Sequence, residues 1–182
     1  MIRAVVTLAG PPGSGKSTAG RLVAERLGLE YRSAGDLFRA GAERRGMDVE
    51  SFGRFAEEHP EVDRELDRTM QSLASPGRLL DGRIQGALCR RAGVGVHHVV
   101  VTAREEVRIR RVAMRDGQPI AEATTRVRER EASERDRYLR YYGIDIERDA
   151  ADLAIDSSDR TPEEVADAIV AHIRRREAGE RR

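Results

Sequence analysis

The apolar run "VVTLA" breaks off into "GPPGSGKS", and helical spacing resumes at once with Leu22, Val23 and Leu27. No other stretch constrains the fold as tightly, because a buried parallel strand must turn abruptly and feed a helix. The turn fits G-x-x-x-x-G-K-[ST], the phosphate-binding loop, in the strand-to-helix setting its mechanism requires. Gly10, Gly13 and Gly15 let consecutive N–H groups converge without Cβ interference, and the helix N-terminus adds partial positive charge. Gly10, Pro11, Pro12, Gly13, Ser14, Gly15, Lys16, Ser17 and Thr18 are therefore the expected cradle for the phosphates of ATP, with the Ser17 hydroxyl on Mg²⁺.

Lys16 is the only lysine among 33 basic residues. A compact ammonium on a flexible stem follows a moving phosphoryl group, whereas a planar guanidinium needs a fixed bidentate partner. The bias toward arginine, together with the absence of asparagine, suits GC-rich coding or a hot or salty habitat, which composition does not separate.

The rest of the chain alternates strand and helix patterns. Strands are expected at "LEYRS", "GRLLDG", "VHHVVVTA" and "ADLAIDSS", and helices follow each of the five strands. The closing helix carries Thr161 as N-cap, Pro162 at N1 and Glu164 at N3, with Val165, Ile169 and Ile173 inward. Such alternation implies a three-layer α/β fold with a five-stranded parallel sheet covered on both faces. Two segments stand apart: three short helices between about 33 and 75, expected as a helical flap, and a charged helix within about 118–142, expected as an arginine-rich lid. The chain reads as one domain spanning 1–182.

Charge excludes some partners. With 33 basic and 32 acidic residues, net +1, there is no field to draw the chain onto nucleic acid or anionic lipid. One cysteine, Cys89, fits an inert side chain in a reducing compartment. The N-terminal apolar run is too short for a signal or a membrane span, so a cytoplasmic monomer is expected. The pair His97-His98 lacks companions at metal-ligand spacing, and the tail "REAGERR" reads as a frayed end.

The loop alone does not identify what receives the phosphoryl group. "SAGDLFR" from Ser33, "LLDGR" ending at Arg83, and the arginine arm resemble the nucleoside monophosphate kinases, and the arrangement is most similar to the short cytidylate kinases of archaea, over nearly the whole chain. The resemblance implies an acceptor nucleotide held by Ser33, Gly35, Asp36, Arg39 and Arg83, with Asp81 ordering water around Mg²⁺. An ionic residue at the carboxyl end of a parallel strand points into the ligand crevice, which agrees. Arg130, Glu134 and Arg137, at i, i+4 and i+7 on one helical face, match lid residues that reach the acceptor and the transferring group, with Arg126, Arg128 and Arg135 as neighbours that share the work. Arg111 matches a residue near the donor adenine, and Ser157 to Arg160 would wall that pocket. Lys16, Arg83, Arg130 and Arg137 are the catalytic candidates.

The resemblance thins at the base. An aspartate follows the corresponding arginine in bacterial cytidylate kinases, but here Ile84 stands there. Cytosine offers an N4 amino donor, so a carboxylate is expected, and Asp63 and Asp67 of "VDRELDR" are the candidates, equally readable as surface pairs. The expected reaction is transfer of the ATP γ-phosphoryl group to CMP or dCMP. Other acceptors stay open: AMP, UMP, or a small hydroxyl metabolite for which Asp36 would be the base. So does an assembly factor that uses ATP as a timer.

Overall fold

The computed structural model describes residues 2–179 of the 182. In chain order its elements are β1 (Val5–Ala9), α1 (Lys16–Leu27), β2 (Glu30–Ser33), α2 (Ala34–Arg44), α3 (Val49–Glu58), α4 (Pro60–Ser72), β3 (Arg78–Asp81), α5 (Gln85–Arg91), β4 (Val96–Thr102), α6 (Glu105–Asp116), α7 (Ile120–Tyr142), β5 (Leu153–Asp156) and α8 (Pro162–Glu177). Every strand pairing is parallel, in the order β2-β3-β1-β4-β5. The expected three-layer α/β architecture with five parallel strands is what forms.

Alternation along the strands assigns the two faces. Val6, Leu8, Leu79, Val99, Val101 and Ile155 pack against Val23 of α1 and Ile169 and Ile173 of α8. Val5 and Leu80 face the other way, against Cys89 of α5, Met70 of α4 and Leu37 of α2. Cys89 is fully buried there, as an inert side chain should be. Each such aliphatic side chain contributes roughly 1.5–3 kcal/mol by leaving water. The apolar layers thus fix the sheet and leave its carboxyl edge for polar work.

Helices α2, α3 and α4 lie between β2 and β3 and have their own small core of Ala42, Phe52, Ala56 and Val62, where Phe38 meets Phe52 at 4.7 Å between centroids. The charged arm α7 divides into two halves. Ala123 and Val127 pack on Ile109, Val112 and Ala113 of α6, whereas its second half makes polar contacts with α3 and α4: Ser133 to Glu57 at 2.6 Å, Tyr141 to the Glu57 carbonyl at 2.9 Å, and Arg137 to Asp63. Arg126 adds an ion pair to Glu50 at 3.5 Å.

The C-terminal helix starts with the expected capping box. The first two residues of the tail expected to fray are held: Arg176 pairs with Asp152 at 3.3 Å, and Glu177 accepts from Arg3 at 3.1 Å and faces His97 at 2.8 Å. A carboxylate shared by two donors holds the last turn, while residues 180–182 lie outside the described part of the chain. Among the described residues no helix is long and apolar enough to cross a membrane.

Candidate active site

Register brings the phosphate loop to the carboxyl ends of the central strands. Leu8 and Ser33 both pair with Asp81, and the Gly82 N–H donates to the Leu8 carbonyl at 3.0 Å, so Asp81 stands beside the point where β1 enters the loop. The loop conformation needs its glycines. Gly10 has φ 149°, and a Cβ there would lie 2.0 Å from the Val101 carbonyl oxygen; Gly13 has φ 78° and would meet the Arg108 carbonyl oxygen at 2.4 Å. Gly15, also left-handed, caps α1 without a side chain in the way.

At the mouth of the loop the Ser17 hydroxyl donates to Asp81 Oδ2 at 2.6 Å, and Lys16 Nζ lies 3.9 Å from Asp81 Oδ1. Tyr31, which sequence reasoning missed, donates its hydroxyl to the same Oδ2 at 2.5 Å. Burial pushes the Lys16 ammonium below its usual value against the pull of Asp81, with Arg130 and Arg83 adding repulsion; an anion entering the loop would relieve both effects. Burial also pushes the Tyr31 phenol up, keeping it a donor. A hydroxyl and a carboxylate oxygen side by side suit a hard divalent cation. Among the described residues no group of three or more His, Cys, Asp and Glu side chains is placed to hold a metal ion.

The arginines gather around one carboxylate. Glu134, 4% exposed, accepts from Arg130 Nε at 2.8 Å and pairs with Arg83 Nε at 3.0 Å. Burial opposes its ionisation, but Arg130 and Arg83 outweigh that and hold its carboxyl down to about 2. Arg137 Nη1 donates to both oxygens of Asp63, at 2.9 and 2.8 Å, and its buried Nε has no partner among the described residues. Asp67, one helical turn beyond Asp63, accepts instead from Gln85 Nε2 at 2.9 Å.

The structure therefore brings Lys16, Ser17, Asp81, Arg83, Arg130, Glu134, Arg137 and Asp63 into one polar region. It leaves others apart. Arg39 is exposed and pairs with Asp36 on its own helix, which also lies 3.4 Å from Arg21, and its guanidinium lies beside Gly35. Ser33 caps α2 by accepting from the Asp36 N–H. Arg126, Arg128 and Arg135 make outer ion pairs with Glu50, Glu105 and Glu147. Arg128, Arg135 and Arg83 line a cavity of about 690 Å³ that starts at Gly10 and Pro11.

On the donor side, Arg111 donates to the Ser157 carbonyl at 2.8 Å and hydroxyl at 2.9 Å, and Ser157 in turn donates to the Ser14 carbonyl at 2.7 Å. The turn after β5 thus wraps the loop. Arg108, also unforeseen, is buried and donates to the carbonyls of Pro12 and Ala103 while pairing with Glu131 of α7. An arginine interrupting the apolar face of α6 was the available signal; nothing local marked Tyr31. His98, fully buried, faces Thr7 at 2.8 Å and Asp149 at 2.9 Å.

Residues 9–136 match a family model described as an AAA domain. Among solved structures the shikimate kinase of Acinetobacter baumannii superposes with a TM-score of 0.63 at 18% identity, covering 96% of this chain and 94% of that one; at that identity the likeness concerns the fold. Sequence similarity is closer elsewhere. The cytidylate kinase of Archaeoglobus fulgidus is 39% identical over 168 residues, 91% of this chain and 92% of that protein. That of Aeropyrum pernix is 41% identical over 171 residues, 93% of this chain and 98% of its own length. With a phosphate loop facing a ring of arginines, and with such relatives matched almost end to end, the chain belongs to the cytidylate kinase family.

Proposed function

We propose that this chain transfers the γ-phosphoryl group of ATP to CMP or dCMP. The observation that carries the reading is the placement of two cationic systems on one crevice: Lys16 in the triphosphate cradle, and Arg83 with Arg130 on Glu134. A phosphate monoester is already close to doubly charged at neutral pH, its second pKa being about 6, and needs no general base to attack. What it needs is charge neutralisation, since two anionic nucleotides must meet end to end.

In this reading Lys16 and the loop N–H groups hold the β- and γ-phosphates, and Arg111 with Ser157 braces the loop from the donor side. Arg83, Arg130 and Arg137 neutralise the acceptor and the transferring group; the acceptor phosphate competes with Glu134 and Asp63 for their guanidinium groups. Arg39, one turn from Gly35, joins the acceptor by leaving Asp36. The three-helix segment of about 33–75 acts as the acceptor flap and residues of about 118–142 as the lid, within a single domain of 1–182. Ser17 and, through water, Asp81 would hold Mg²⁺, which supplies charge stabilisation between the phosphates when bound. Tyr31 keeps Asp81 oriented toward Ser17. Closure of α7 over the crevice excludes water and so favours transfer over hydrolysis.

A coupled assay with ATP, Mg²⁺ and a panel of CMP, dCMP, UMP and AMP tests the reading. CMP or dCMP should give the highest kcat/KM. Preferential turnover of UMP or AMP, or ATP hydrolysis indifferent to every acceptor, defeats it.

A further inference from the structure

Two aspartates sit one turn apart on α4, and the structure treats them differently. Asp63 has both oxygens occupied by Arg137. Asp67, 6% exposed, has no guanidinium or ammonium hydrogen-bonded to it; its Oδ1 accepts from Gln85, and the only other donor beside the carboxylate among the described residues is the neutral Tyr142 hydroxyl of α7. Gln85, 1% exposed, is itself fixed: its Oε1 accepts from Gln71 Nε2 at 2.8 Å, so its amide nitrogen must face Asp67. The chain Gln71–Gln85–Asp67 thus orients a buried acceptor that only neutral donors touch. Keeping such a carboxylate without a cation is costly, and the cost marks a site where a ligand supplies the donor. Gln85 follows Arg83 by two residues, Asp67 follows Asp63 by one turn, and Arg137 acts on both aspartates, so the Asp67 carboxylate belongs to the same region as the arginines.

We propose that the Asp67 carboxylate, oriented by Gln85 and Gln71, accepts a hydrogen bond from the exocyclic amine of the acceptor base and thereby selects cytosine over uracil. The inference rests on the reading of the chain as a CMP kinase. Cytosine presents N4–H₂ as a donor, whereas uracil presents O4 and would set lone pair against lone pair in a buried place. Asp63 is then a positioning residue for Arg137, and Gln85 and Gln71 are positioning residues for Asp67.

The test is the ratio of kcat/KM for CMP to that for UMP, at saturating ATP, in the wild type, Asp67→Asn and Gln71→Ala. The ratio is independent of the folded fraction of each preparation. Asn can turn either its oxygen or its amide to the base, so D67N should lower the ratio by about tenfold or more, chiefly through KM for CMP. Q71A frees Gln85 to flip and should lower the ratio by less, again chiefly through KM for CMP. An unchanged ratio in active D67N overturns the proposal; if D67N does not fold, an unchanged ratio in Q71A does so. A wild type that prefers UMP or AMP, or uses no nucleotide acceptor, sinks the functional reading instead.

Discussion

Arg137 of the long charged helix places one guanidinium nitrogen within 2.9 Å of both carboxylate oxygens of Asp63, across the seam between α7 and α4, with both side chains buried. Removing one partner of such a pair leaves an uncompensated charge, which costs about 3–5 kcal/mol, whereas removing both costs much less. Asp63→Ala and Arg137→Ala should therefore each lower stability by about 3 kcal/mol, and the double variant by clearly less than the sum. Urea unfolding of the four proteins gives the coupling; additive losses would show that the pair is not a unit.

Lys16→Arg retains the charge but not the compact, mobile ammonium. Turnover should fall by about 10²–10³-fold, the range typical of losing one preorganised charge contact at a transferring group, with little change in the urea midpoint. Near-normal turnover would mean that the lone lysine is an accident of composition.

Glu134 should control the acid limb of the stability profile. Its folded pKa of about 2 lies below the usual value near 4.5, so the stabilisation is complete above pH 4.5 and is lost as pH falls toward 2. Glu134→Gln should be less stable than the wild type at pH 7 by on the order of 2–3 kcal/mol and converge with it near pH 2. Parallel curves over that range would remove the charge from the account.

Asp67 should behave in the opposite sense. Burial pushes its carboxyl up to about 6, and the groups facing it are Asp63 from α4, Gln85 from α5, and Arg137, Tyr138 and Tyr142 from α7. Between pH 4 and 6 the native state binds more protons than the unfolded chain, so this residue's contribution declines as pH rises and the penalty is complete above 6. Asp67→Asn should therefore be more stable than the wild type at pH 8, by about 2 kcal/mol, and indistinguishable at pH 4. Thermal melts at the two pH values decide it.

The parts of the molecule legible in the sequence are those set by neighbours along the chain. Pro119 and Gly143 bracket α7, Thr161 and Glu164 start α8, and Gly10 to Ser17 announce their own conformation. What was not legible arises across strands. Tyr31 reaches Asp81 only because β2 lies beside β3 in a register that puts Ser33 opposite Asp81, and strand order has no local signature. For the same reason "VDRELDR" could not distinguish its two aspartates. The division depends on Arg137 arriving from 74 residues away and Gln85 from 18. The hold on Arg176 and Glu177 was not legible either, because their partners Arg3, His97 and Asp152 are distant in sequence.

The seam joining the second half of α7 to α3 and α4 is made of hydroxyl, carboxylate and guanidinium groups, while the first half rests on α6 through apolar side chains. Water can serve every group on that seam almost as well as its present partner does. If α7 is the lid proposed above, it lifts at the polar end and stays moored at the apolar one.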